Sequence, residues 1–136
     1  MASIQREALI NASTAQVWDA VRDVGALHDR LVPGFVVDTV VDGEVRTVCF
    51  GNGLRVRERI VDVDDARRRI AWSVLDAPQL RYHHASLQLF DDAGRCRAVW
   101  IADLLPDELA SRIATMIEQG LMAMQRAHER TATADR

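Results

Sequence analysis

CRAVWIADLLPDELASRIATMIEQGLMAMQRAH, residues 96–128, decides the fold, because its hydrophobic period changes partway along. Up to Leu104 the side chains alternate. Cys96, Ala98, Trp100, Ala102 and Leu104 share one face of a strand, and Arg97, Val99, Ile101 and Asp103 take the other. Past Pro106 the apolar residues Leu109, Ile113, Met116, Ile117, Leu121 and Met124 recur at steps of three and four. That spacing gives one apolar helix face opposite Arg112, Glu118, Gln119, Gln125 and Arg126. Pro106 suits the first helical position, which needs no N–H, and Asp107 and Glu108 complement the helix dipole. Asp103 and Asp107, flanking this turn, read as capping residues. Running to about His128, the helix spans about 34 Å, enough to cross a seven-stranded sheet.

Upstream lies the partner of that helix. From Phe35 to Leu105, turn signals at Asp42-Gly43, Gly51-Asn52-Gly53, Asp64-Asp65-Ala66, Asp76-Ala77-Pro78 and Asp91-Asp92-Ala93-Gly94 divide the chain into six strands. Their predicted spans are 35–41, 45–50, 54–62, 68–75, 81–90 and 96–104, and short connections make an antiparallel meander. Residues 3–11 add a further strand. Ser13 and Gln16 have capping-box spacing and open a helix carrying Val17, Trp18 and Val21. Leu27 and Leu31 suggest a second short helix, broken by Pro33-Gly34. The expectation is one α+β domain over residues 1–130, with 131–136 a flexible tail.

Composition narrows the function classes. Seventeen basic residues against 20 acidic give a net charge of −3, unlike a nucleic-acid binder, which concentrates positive charge. Arg55, Arg57 and Arg59 alternate and read as the solvent face of one strand rather than a phosphate-binding strip. Cys49 and Cys96 lack zinc or redox spacing and read as free thiols. Neither a secretory signal nor a membrane span is legible, so a cytoplasmic protein is expected. No metal or cofactor motif is present, and none is expected. His83 and His84 cannot share a metal, because adjacent strand residues face opposite ways.

Alternation also nominates the residues facing the helix. With the three arginines outward, Leu54, Val56, Glu58 and Ile60 point inward. Ala85, Leu87 and Leu89 bring His83 to the same face, and Ile70, Trp72 and Val74 form the inner set of their strand. Large rings at Trp72 and Trp100 beside Ala85, Ala98 and Ala102 leave gaps, which favours a cavity. On the helix, Ile113, Met116, Ile117, Leu121 and Met124 complete the expected ligand-binding set, with Met122 as a further flexible wall residue. Gly120 costs about 1 kcal/mol relative to alanine, which implies either close packing or room for a ligand. Glu58 and His83 are the chemical candidates: a carboxylate or imidazole in an apolar cavity can act as acid or base. Against that stand an ion pair for Glu58 and a backbone hydrogen bond for His83. Val99 and Ile101, apolar on the outer face, suggest a homodimer surface or a register error.

A strand, the helix opening STAQVWDAV (residues 13–21), six meandering strands and VWIADLLPDELASRIATMIEQGL (residues 99–121) together resemble the SRPBCC superfamily. That superfamily takes in START-like, polyketide cyclase/dehydrase and lipid-transport proteins. Val17, Trp18, Glu58-Arg59, Asp62, Trp100 and Leu105-Pro106 carry the resemblance, which covers nearly the whole chain. It implies a helix-grip fold, β-α-α-β6-α, with a deep cavity for a small hydrophobic ligand between the last helix and the sheet. Three functions are consistent with this. They are a carrier or sensor without catalysis, a polyketide cyclase or dehydratase using Glu58 and His83, and a protein-interaction module.

Overall fold

The computed structural model describes residues 1–134. Strand β1 (Ala2–Ile10) leads into helix α1 (Thr14–Arg22) and a π-helical turn over Leu27–Leu31. Six strands follow: β2 (Val36–Asp42), β3 (Val45–Phe50), β4 (Arg55–Asp64), β5 (Arg69–Asp76), β6 (Tyr82–Asp92) and β7 (Arg95–Leu105). A 3-10 turn, Asp107–Leu109, then feeds the long helix α2 (Ala110–Ala134). All seven strands form one antiparallel sheet in the order β1-β7-β6-β5-β4-β3-β2. The first strand therefore closes onto the last, and the rest is the meander expected from the turn signals. This is the helix-grip architecture.

Local chemistry explains the element ends. The Gln16 amide donates to Ser13 Oγ at 3.1 Å, which caps α1. The Gln16 side chain turns away to donate to the His128 carbonyl at 3.2 Å, so the capping box is only half made and the other half ties α1 to α2. Trp18 Nε1 and Arg22 Nε both donate to Asp65 Oδ1 at 2.9 Å, holding α1 against the β4–β5 turn. Register shifts on β4 between Arg57 and Glu58 and between Ile60 and Asp62 mark bulges, the device that lets a sheet bend around a helix.

Several expectations need correction. Pro106 is not the first residue of α2; its backbone is extended (φ −79°, ψ 159°), and the helix proper begins at Ala110. Pro106 instead caps the 3-10 turn without a side-chain hydrogen bond. Met122 does not line a cavity: at 52% exposure it stands on the solvent side of α2, one residue out of phase with Leu121. Val99 is buried at 7% although it lies on the outer face of β7, between Glu7 of β1 and Gln88 of β6. Helix α2 continues to Ala134, beyond the end its apolar face suggests; of the expected tail, Asp135 and Arg136 lie outside the described residues.

The core lies between the concave face of the sheet and α1 and α2. Ile10, Val17, Val21, Val36, Val48, Cys96, Leu104 and Met124 are almost fully enclosed there. Each such side chain contributes about 1.5–3 kcal/mol through burial. Burial also pushes the Cys96 thiol up to about 11, so it is inert packing at neutral pH. Cys49 is free and only half-buried.

Candidate functional site

The sheet and α2 do not meet along their whole length. Between them lies a cavity of about 560 Å³, in the usual range for a small-molecule site. Val48, Val56, Ile70, Trp72, Val74, Leu87 and Trp100 form its sheet wall, and Leu109, Ile113, Met116, Ile117 and Met124 its helix wall. Val21, Leu27, Leu31 and Val32 close the end under α1 and the π-helical turn. Exposed Asn52, Pro78, Gln79 and Arg112 form the rim, where Arg112 Nη1 donates to Gln79 Oε1 at 3.3 Å. Trp72 and Trp100 meet edge to face, with ring centroids 5.7 Å apart and planes at 70°.

Three buried polar side chains line the cavity: Arg46, Glu58 and His83. Arg46 and Glu58 sit directly opposite each other on β3 and β4. Arg46 Nε donates to Glu58 Oε1 at 2.8 Å, with both side chains almost fully enclosed. Arg46 Nη1 also donates to the Val24 carbonyl at 3.3 Å, and its guanidinium lies 5.7 Å from the Trp72 ring centroid. Two charges taken from water cost several kcal/mol each, and their short charge-assisted bond offsets that. The pair has no net charge.

His83 stands apart from that pair. Burial pushes its pKa down to about 4, so the ring is neutral near pH 7. Its Nδ1 is enclosed and has no hydrogen-bond partner. The Trp100 indole nitrogen is likewise enclosed without a partner.

Of the residues nominated from sequence, Val56, Glu58, Trp72, His83, Leu87, Trp100, Ile113, Met116, Ile117 and Met124 line the cavity. Ala85, Ala98, Ala102 and Leu121 are buried and Ile60 packs against the same core, but none is part of the lining. Gly120 is also outside the lining, and its role is close packing. A Cβ added there would lie 2.9 Å from Trp100 Cζ3 and 3.2 Å from Phe35 Cε2.

Arg46 was not nominated. Its signal was present, since it alternates with Val48 and Phe50 and so shares their inward face. Leu54, read as inward-facing, does line the cavity, whereas Phe35 and residues 77–80 were missed, because they reach it from loops, where no period applies. Among the described residues, no three His, Cys, Asp or Glu side chains converge as a metal-ligand set, and no helix is long and apolar enough to cross a membrane.

Solved structures repeat this architecture. An uncharacterised protein from Bacillus thuringiensis superposes with a TM-score of 0.83 at 23% identity, over 93% of this chain and 98% of its own. The Zhui aromatase/cyclase from Streptomyces sp. R1128 gives 0.75 at 22% identity, over 97% and 93%. A START superfamily protein from Mycobacterium smegmatis gives 0.74 at 9% identity, over 98% and 99%. At these identities the likeness shows the fold alone. No curated protein matches the sequence significantly. A profile described as polyketide cyclase / dehydrase and lipid transport matches residues 1–129. With that match over nearly its whole length and the helix-grip sheet beneath it, the chain belongs to the polyketide cyclase/dehydrase and lipid-transport family.

Proposed function

We propose that the protein binds a small hydrophobic molecule, of lipid or polyketide type, in the cavity between α2 and the sheet and acts as its carrier or sensor. The observation supporting this is a largely apolar cavity of about 560 Å³ with three buried polar side chains in its wall. Such a cavity excludes water from an apolar ligand and uses few polar contacts to orient it. Native mass spectrometry of the purified protein tests the reading. A retained small molecule, released on denaturation, is the expected result. Failure to bind any member of a broad lipid and polyketide-like panel would sink it.

A polyketide cyclase or dehydratase is the second reading, favoured by Glu58 and His83 both lining the cavity. Two features weigh against it. Glu58 is engaged by Arg46, and a histidine with a pKa of about 4 is a weak base at neutral pH. Under this reading Glu58→Gln and His83→Ala abolish turnover of a polyketide-like substrate while binding survives. Unchanged rates in both variants would remove the two residues as catalysts.

A further inference from the structure

The cavity-facing side of the sheet is arranged in rows that cross the strands. One row runs Ile60, Trp72, Ala85, Ala102, Ile4 and is wholly apolar. The next row holds all three of the buried polar side chains in the lining. Arg46 pairs with Glu58, and Glu58 pairs with Val74. The β5–β6 ladder ends at Ser73 and His84, so His83 follows on β6 beside Val74. Neighbouring strands are about 4.8 Å apart, which sets the backbones of Glu58 on β4 and His83 on β6 about 10 Å apart, with apolar Val74 between them.

The two poles offer different hydrogen bonds. At the β3–β4 pole, Arg46 Nη2 can donate and Glu58 Oε2 can accept, and neither has a partner among the described residues. A hydroxyl, which both donates and accepts, fits there. At the β6 pole the neutral His83 ring has one nitrogen that donates and one that accepts, and a ligand hydroxyl can meet either. The row carries no net charge, so a carboxylate or phosphate drawn into it would be buried without a counter-charge.

Resting on the binding reading above, we propose that the cavity takes an uncharged, largely apolar molecule oxygenated at two positions about 10 Å apart, rather than a plain acyl chain. Flat bis-phenolic or polyoxygenated ring systems have this form. Their apolar middle lies over Val74 against the Trp72 face, and their oxygens meet the Arg46–Glu58 pair and His83.

Biphenyl, 4-hydroxybiphenyl, 4,4′-dihydroxybiphenyl and dodecanoate test this, titrated into the full chain by calorimetry. The rigid dihydroxy compound sets its oxygens at about the required separation. Each hydroxyl is expected to tighten binding about fivefold, as one net hydrogen bond does, with dodecanoate weaker than the dihydroxy compound. His83→Phe should erase the gain from one hydroxyl. Replacing the pair together, Arg46→Met with Glu58→Leu, should erase the other without leaving a lone buried charge. Equal affinity for the three biphenyls, or tighter binding of dodecanoate, overturns the two-oxygen assignment while the binding reading stands. Binding of none of the four overturns both. The wild-type series decides the matter even where a variant fails to fold.

Discussion

The two halves of α2 lie over one sheet and carry similar apolar side chains, yet they are buried to different degrees. In the first turns, Ile113 and Met116 are only half-buried and stand over the cavity, as does Leu109 of the preceding 3-10 turn. Further along, Leu121 and Ala123 are buried in the core, and Ile117 and Met124 are buried where the core meets the inner end of the cavity. Gly120 lies within the seated stretch. Without a Cβ, its backbone comes against Trp100 and Phe35, so the second half seats on the sheet. The first half, reached through the 3-10 turn, stands clear. The difference shows how one amphipathic helix can close a core at one end and roof a cavity at the other.

Truncation in the seated half should have the largest effect. Met124→Ala removes a side chain that is 1% exposed and should cost about 2–5 kcal/mol in urea unfolding. A loss of less than about 1 kcal/mol would mean that this half is not seated as described.

Two buried histidines, His83 on β6 in the cavity wall and His128 on α2, let pH probe both regions. Burial lowers the pKa of His83 to about 4 and also lowers that of His128. In the unfolded chain an imidazole titrates near 6.5, so between there and about 4 the unfolded state binds the extra proton. Stability is therefore complete above about pH 6.5 and falls as pH drops toward 4, by at most about 3 kcal/mol from His83. His83→Leu should flatten that part of the stability-versus-pH curve, and His128 should leave a residual slope of the same sign. A wild-type curve that is flat from pH 7 to 4 would contradict both placements.

Gly120→Leu attacks the seating itself. The added side chain must displace the Trp100 ring, costing about 1–3 kcal/mol by overpacking and pushing the ring into the cavity. Both a lower melting temperature and weaker binding of biphenyl are expected. Unchanged binding would separate Gly120 from the cavity. Met116→Ala should show the smallest stability change, under about 1 kcal/mol, because the residue is half-buried at the cavity wall. Its effect belongs in ligand affinity instead.

Much of this was legible in the sequence, and the gaps have physical causes. Strand spans and the long helix followed from hydrophobic period and turn residues. The inward position of Glu58 followed from three arginines that must take the solvent. Alternation with Val48 and Phe50 turns Arg46 inward, but a buried guanidinium needs a counter-charge that lies on another strand. Only the β3–β4 register, which sets it opposite Glu58, compensates its charge. Ala85, Ala98 and Ala102 do face inward, but facing inward is not the same as reaching the cavity. They are short, and the lining beside them is made by Trp72, Leu87 and Trp100. The rim residues 77–80 and the start of α2 at Ala110 depend on loop conformation, on which period is silent.

A small apolar molecule entering beneath the start of α2 should leave the packed core away from the cavity undisturbed. Methyl-detected NMR during a titration with biphenyl tests it most directly. Saturable shifts at Ile113, Met116, Val74 and Leu80, with Ile10, Leu89 and Ala98 unmoved, are the predicted result. Shifts spread evenly along the helix and core, or none at saturating biphenyl, would contradict it.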